Sequence, residues 1–292
     1  MTHEIADQVP PNSPGAAEIG FAIPERYNAS RILFDNLGNG RGDRLALTGP
    51  AGTRSYRELC AEASRWGHGF QSLGLKRGDR ILMFTDDTPA YPAAFFGAVR
   101  AGFVPLLINT LTPPDLLQFY LSDSGTTVAV ADAEFCSRFD AVACKDTALQ
   151  TLIVVNGAAG DHAVPNTIAA EPWLRGFPID LAEADTHRNE MAFWMYSSGS
   201  TGRPKGIVHL QHDMAYSEAA FARNVLKLAT TSAFRCRRFS SPTVLVIPSL
   251  SRSPRAPPRC CCRASPNRRR FSRPSGVFVR PSSLDCRRSI RP

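Results

Sequence analysis

Residues 193–210 read FWMYSSGSTGRPKGIVHL and hold the residue types best suited to chemistry. An apolar run at 193–196 meets Ser197, Ser198, Gly199, Ser200, Thr201 and Gly202. Arg203, Pro204, Lys205 and Gly206 follow, and then a second apolar run at 207–210. Four hydroxyls and three glycines fall within residues 197–206. Glycines let backbone N–H groups come close to a polyphosphate. Hydroxyls add hydrogen bonds, and Lys205 adds a positive charge that strengthens them. The segment is not a Walker A loop, because the G-x-x-x-x-G-K-[ST] order is not met and no helix pattern opens at the lysine. Ser/Gly/Thr clusters are ordinarily plain turns. Here the two flanking strand-like runs and the order of residue types favour a phosphate cradle.

The elements that must position this loop are legible upstream. Residues 55–73 place Leu59, Ala63, Trp66, Phe70 and Leu73 at helical spacing, and Gly74 stops the helix. Residues 80–84 (RILMF) read as a strand, 90–101 as a helix ending at Gly102, and 103–108 (FVPLLI) as a second strand. Thr112 is the expected N-cap, with Pro113 at the first turn, of a helix over 115–121. Residues 127–131 and 151–155 are two further strands, and 157–190 reads as polar surface connection. Strands alternating with helices predict an α/β fold with a largely parallel sheet. Asp86, Asp87 and Asn109 sit where strands end, and read better as caps and turns than as ligands. His209 and His212 read as structural, and Trp66, Phe95 and Phe96 as core. Tyr91 fits either role. No residue is assigned as a catalytic acid or base, and no metal ligand set is seen.

YSSGSTGRPKG resembles the phosphate-loop signature of adenylate-forming (AMP-binding) enzymes, a family of acyl- and aryl-CoA synthetases, luciferases and peptide-synthetase adenylation domains. The resemblance spans residues 21–228. Within it FTDDTPAYPAAFFGAVRAGFVPLLINTLTPPDLLQFYLSDS is most similar to benzoate–CoA ligases and their aryl-CoA relatives. The resemblance implies the N-terminal part of an adenylate-forming ligase large domain. It implies an aryl carboxylate, ATP, Mg²⁺ and CoA as reactants and cofactors, and a place in aromatic degradation. It also implies phosphate contacts from Ser197, Ser198, Gly199, Ser200, Thr201, Gly202 and Lys205.

The chain changes character near residue 229. Residues 229–292 hold 15 Arg, no Lys and one acid, Asp285, for a charge of about +14; residues 1–228 carry 19 basic and 25 acidic residues, about −6. The basic balance of the whole chain is therefore no sign of a nucleic-acid-binding body. Three domains are expected: a loose segment at 1–20, a partial adenylation domain at 21–228, and a disordered basic tail at 229–292. Such a tail attracts polyanions nonspecifically, and an Arg-rich nucleic-acid-binding arm is the alternative reading.

A single codon register explains the tail better. Joining the last base of each codon to the first two of the next lets Cys260, Cys261 and Cys262, with Arg263 and Ala264, encode LLLPG. The same register over 230–245 ends in AYGF, and over 285–290 permits GLPTLY, all similar to the continuation of a benzoate–CoA ligase. The tail is thus expected to be out of frame, and the chain inactive as it stands. Cys60, Cys136 and Cys144 are too few and too irregularly spaced for a disulfide framework. The N-terminus lacks a signal-peptide apolar region, and no apolar run reaches the ~20 residues of a membrane span. A cytoplasmic protein with no membrane partner is expected.

Overall fold

The computed structural model describes residues 22–49, 51–160, 163–197 and 204–220, with backbone alone for 221–223. The expectations for residues 1–20 and 229–292 lie outside the described residues. Helix α1 (Arg31–Gly38) leads to an antiparallel hairpin of β1 (Leu45–Gly49) and β2 (Gly52–Ser55). Helix α2 (Tyr56–Ser72) starts on a capping box. Glu58 N–H donates to Ser55 Oγ at 3.2 Å, and Ser55 N–H donates to Glu58 Oε2 at 2.8 Å. Gly74, at φ +75°, takes the chain out of α2 in the left-handed conformation that favours glycine.

The main sheet is built from β3 (Arg80–Phe84), β4 (Val104–Leu107), β5 (Val128–Asp132), β6 (Thr151–Val155), β7 (Asn166–Ala169), β8 (Met191–Ser197) and β9 (Lys205–Leu210). Its order is β7-β6-β5-β3-β4-β8-β9, parallel throughout except for the antiparallel β8–β9 pair. Helices α3 (Ala90–Arg100), α4 (Pro114–Ser124), α5 (Ala170–Leu174) and α6 (Asp213–Ser217) complete it, with a 3₁₀ turn at Ala133–Arg138 and a π-helical turn at Glu218–Arg223. Strands β4, β5 and β6 are buried along their whole length, as expected of parallel strands covered on both faces.

Alternation along β3 divides the core. Ile81 and Met83 join Leu59, Ala63, Trp66, Phe70 and Phe96 from α2 and α3 on one face. Leu82 and Phe84 join Leu117 and Leu121 of α4 and Phe139 on the other. The chain therefore leaves β3 toward one face and β4 toward the opposite face. Such a reversal opens a crevice at the carboxyl ends of the strands, the usual ligand position in open α/β sheets.

Three local expectations need correction. Helix α4 takes Pro113 as N-cap and Pro114 at its first position, not Thr112 and Pro113. Thr112 N–H is already engaged by Asn109 O at 2.9 Å, and Pro113 is held extended (φ −70°, ψ 159°) because it precedes a proline. The region 157–190 is not connection alone, since it carries edge strand β7 and helix α5. Lys205 and Gly206 are not loop residues but the first two residues of β9.

Helices α2 and α3 cross at Gly67 and Gly97. A Cβ on Gly67 would lie 2.8 Å from Gly97 O, and one on Gly97 would lie 2.8 Å from Trp66 Cβ and 2.9 Å from Gly67 N. Backbone cannot swing aside as a side-chain tip does. Gly97→Ala is therefore expected to cost about 1–3 kcal/mol of stability, read as a lower urea midpoint. An unchanged midpoint would contradict this close crossing.

Candidate functional site

The hydroxyl- and glycine-rich segment joins β8 to β9. Ser197 ends β8, Lys205 begins β9, and the two are partners in register. Ser198, Gly199, Ser200, Thr201 and Gly202 lie outside the described residues. Because β8 runs parallel to β4, Ser197 sits at the carboxyl end of the sheet, the end at which Asn109 follows β4 and Asp86 follows β3. Lys205 is exposed and Ser197 half-buried there.

Both faces of the β8–β9 pair are anchored. Tyr196 OH donates to Asp123 Oδ2 on α4 at 2.6 Å, and its ring lies 4.3 Å from that of Tyr120. Burial, and then the Asp123 carboxylate, push the Tyr196 phenol well above its ordinary range, so it stays a neutral donor. Phe193, projecting to the other face, stacks on His209 at 4.4 Å and 12° and meets Phe95 at 5.6 Å. His209 Nδ1 lies 3.2 Å from Asp213 Oδ2, which also accepts Leu210 N–H at 3.1 Å. His212 Nδ1 contacts Arg188 O at 2.8 Å. Both histidines thus serve the fold, as read from the sequence. Burial alone would raise the Asp213 carboxyl, but the His209 and Leu210 contacts outweigh it and hold the group below its ordinary range.

A second polar group braces the same sheet end. Asp132, the last residue of β5, is 3% exposed. Its Oδ2 accepts Asp86 N–H at 2.5 Å, and its Oδ1 accepts the Asn156 side-chain amide. Asn156, just beyond β6, adopts φ +57° and also reaches Thr88 Oγ1 at 3.4 Å. Burial pushes the Asp132 carboxyl above its ordinary range despite these donors. Asn109 serves a turn, its Oδ1 accepting Leu111 N–H at 2.9 Å. Tyr91, Trp66, Phe95 and Phe96 are all buried. The sequence reading passed over the Asp132–Asn156 brace; its one signal was the Asn-Gly pair directly after the apolar run TLIVV.

Among the described residues neither a thiol nor a metal cluster competes as a reactive centre. Cys60, Cys136 and Cys144 are free, and burial pushes the Cys60 thiol up to about 12 and that of Cys136 to about 11. Among the described residues no group of three His, Cys, Asp or Glu could hold a metal ion. No helix among them is long and apolar enough to cross a membrane.

The family model described as AMP-binding enzyme matches residues 34–248, most of the chain, and the chain belongs to that family. The matched span passes residue 228 and ends within the basic segment. The chain is 35% identical over 206 residues to the benzoate–CoA ligase of Thauera aromatica, covering 70% of this chain and 38% of that protein. Among solved structures, an anthranilate CoA ligase in complex with anthranoyl-AMP superposes with a TM-score of 0.65 at 29% identity, over 69% of this chain and 38% of that one. A benzoate CoA ligase from Burkholderia xenovorans LB400 gives 0.59 at 28%, over 70% and 38%. The chain therefore spans about two fifths of the length of these relatives.

The Asp132 brace yields a prediction with a definite sign. A carboxyl whose folded pKa is raised contributes stability that is full below its unfolded value, near 4, and is lost as pH rises through the raised value. Urea melts of the wild type should show this loss, and Asp132→Asn should lack that component. Asp132→Ala should cost about 1–3 kcal/mol, because Asp86 N–H and the Asn156 amide lose their acceptor. Equal midpoints for Asp132→Ala and wild type would remove the brace from the account.

Proposed function

We propose that this chain is the N-terminal part of an ATP-dependent aryl-CoA ligase. The observation that supports it best is the in-register pairing of Ser197 with Lys205 at the carboxyl end of a parallel sheet, beside a reversal of connections. This donor set suits a polyphosphate: a lysine ammonium and a hydroxyl frame a segment of hydroxyls and glycines. Ser197, Ser198, Gly199, Ser200, Thr201, Gly202 and Lys205 would hold the phosphates of ATP.

In the proposed reaction a carboxylate oxygen of an aryl acid bonds to the α-phosphorus as the bond to pyrophosphate breaks. The CoA thiolate sulfur then bonds to the acyl carbon as AMP leaves, and the thiol proton passes to solvent. The chain's share of the first step is positional and electrostatic. Lys205 and the loop donors hold the departing pyrophosphate in line and offset its growing charge. The described residues do not offer a carboxylate set for Mg²⁺. The related benzoate and anthranilate ligases support an aryl acid as the substrate class. A reducing, cytoplasmic setting and a role in aromatic degradation fit the free cysteines and that class.

We further propose that residues 229–292 are read out of frame, so that the 292-residue chain makes no thioester. The basic tail then attracts polyanions without sequence preference.

The test sets this chain beside a frame-restored version in a thioester assay with benzoate, ATP, Mg²⁺ and CoA. The restored protein should form benzoyl-CoA and the short chain should not. In the restored protein Lys205→Ala should lower benzoate-dependent ATP–pyrophosphate exchange by roughly tenfold or more, the loss of a charge-assisted hydrogen bond of about 1.5–3 kcal/mol. Equal thioester formation by the two chains would reject the frame reading. Full exchange without Lys205 would reject its role.

A further inference from the structure

Tyr196 directly precedes Ser197, the residue at which β8 ends, and is the register partner of Gly206 in β9. A Cβ on Gly206 would lie 3.6 Å from Tyr196 Cε1, so the ring lies beside β9 as well as along β8. Away from the strands the ring meets Tyr120 at 4.3 Å and Phe119 at 6.2 Å, both on α4. Its hydroxyl donates to Asp123 Oδ2 at 2.6 Å, the length of a charge-assisted O–H···O⁻ bond. Asp123 does not serve α4 itself. It lies in the last turn of that helix, which holds no Lys or Arg, and the helix dipole opposes a negative charge there. The helix is nevertheless a firm support. Leu117 and Leu121 are fully buried, and Arg80 Nε, at the start of β3, donates to Ser124 O at 2.8 Å.

We propose that Asp123 and Tyr196 are positioning residues for adenylation: their hydrogen bond fixes where Ser197 and Lys205 stand, and they act through those two residues without touching ATP. This rests on the ligase reading above. Among the described residues β9 has no strand on its far side, so side chains must set the pitch of the β8–β9 pair against the rest of the sheet. On one face Phe193 and His209 hold the pair four residues back from Ser197. On the other face Tyr196 holds it one residue back, so this contact governs the roots most directly. Because Ser197 and Lys205 are partners in register, a swing of the pair would carry both away together. Holding a departing group in line depends on such small displacements. The phenol stays protonated because burial, and then the Asp123 carboxylate, oppose its ionisation, so the donor is constant.

The test uses the frame-restored protein, read by benzoate-dependent ATP–pyrophosphate exchange and by the rise in melting temperature that ATP causes without benzoate. Tyr196→Phe keeps the ring contacts and removes only the hydroxyl. It should lower kcat/KM for ATP roughly three- to tenfold, about what one hydrogen bond contributes, and leave the KM for benzoate unchanged. The ATP-induced rise in melting temperature should shrink with it. Asp123→Ala should do the same, and Asp123→Asn, which keeps an acceptor oxygen, should recover most of the loss. Tyr196→Phe combined with Asp123→Ala should be no worse than either alone, because both remove one bond. A general loosening of the fold would move the benzoate and ATP constants together and would not be relieved by Asn. Three results would each overturn the proposal: wild-type ATP constants in Tyr196→Phe, additive losses in the double variant, or equal damage from Asp123→Asn and Asp123→Ala. Asp123 is exposed, so Asp123→Ala decides by the same readings if Tyr196→Phe fails to fold. A restored wild type without exchange would reject the ligase reading and the positioning role with it; exchange that neither substitution alters would reject the positioning role alone.

Discussion

Strand β3 lies inside the sheet with both faces covered, and the directions in which the chain leaves it and its neighbour organise the molecule. Ile81 and Met83 face α2 and α3, while Leu82 and Phe84 face α4 and the 3₁₀ turn. With β4 and β5 on its two sides, β3 feeds α3 on one face, while β4 feeds α4 on the other. Parallel strands gather their carboxyl ends on one side, so the turns after β3, β4, β5, β6 and β8 all collect there. The position of Ser197 and Lys205 follows from this packing and not from the residues between them.

A loop at such an end works only if its two roots are held. The β8–β9 pair supplies that through unlike contacts on its two faces. Tyr196 reaches Asp123 and Tyr120 of α4, and Phe193 stacks on His209 and Phe95. Across the sheet end, Asp132 ties the turn after β3 to the turn after β6. Its carboxylate is desolvated, and the structure tolerates this because each oxygen has a donor. The polar residues of this end thus divide into those that hold backbone in place and those left exposed, such as Lys205.

Much of this was legible in the sequence, for identifiable reasons. The apolar runs at 80–84, 103–108 and 151–155 are strands of the main sheet because continuous burial needs continuous apolar character. Helix α2 was readable from its spacing and from Gly74. The strand β7 was hidden because an exposed edge strand, NTIA, carries little apolar signal. The start of α4 shifted by one residue because a proline pair constrains its first member more than its sequence neighbours show. The β1–β2 hairpin turns at Gly52 with φ +117°, a conformation that sequence pattern alone does not announce. Within the candidate site the hydroxyls and Lys205 were plain from residue type. The Asp132–Asn156 brace depends on residues of two different strand ends, and only the folded sheet brings them together.

The proposed place of Lys205 at an ATP-phosphate site can be tested lysine by lysine. The chain has four lysines, Lys76, Lys145, Lys205 and Lys227, so amine labelling read by mass spectrometry can follow each one separately. In the frame-restored protein, saturating ATP should slow the labelling of Lys205 while leaving Lys76 and Lys145 unchanged. Lys205 labelled equally fast with and without saturating ATP would contradict the account.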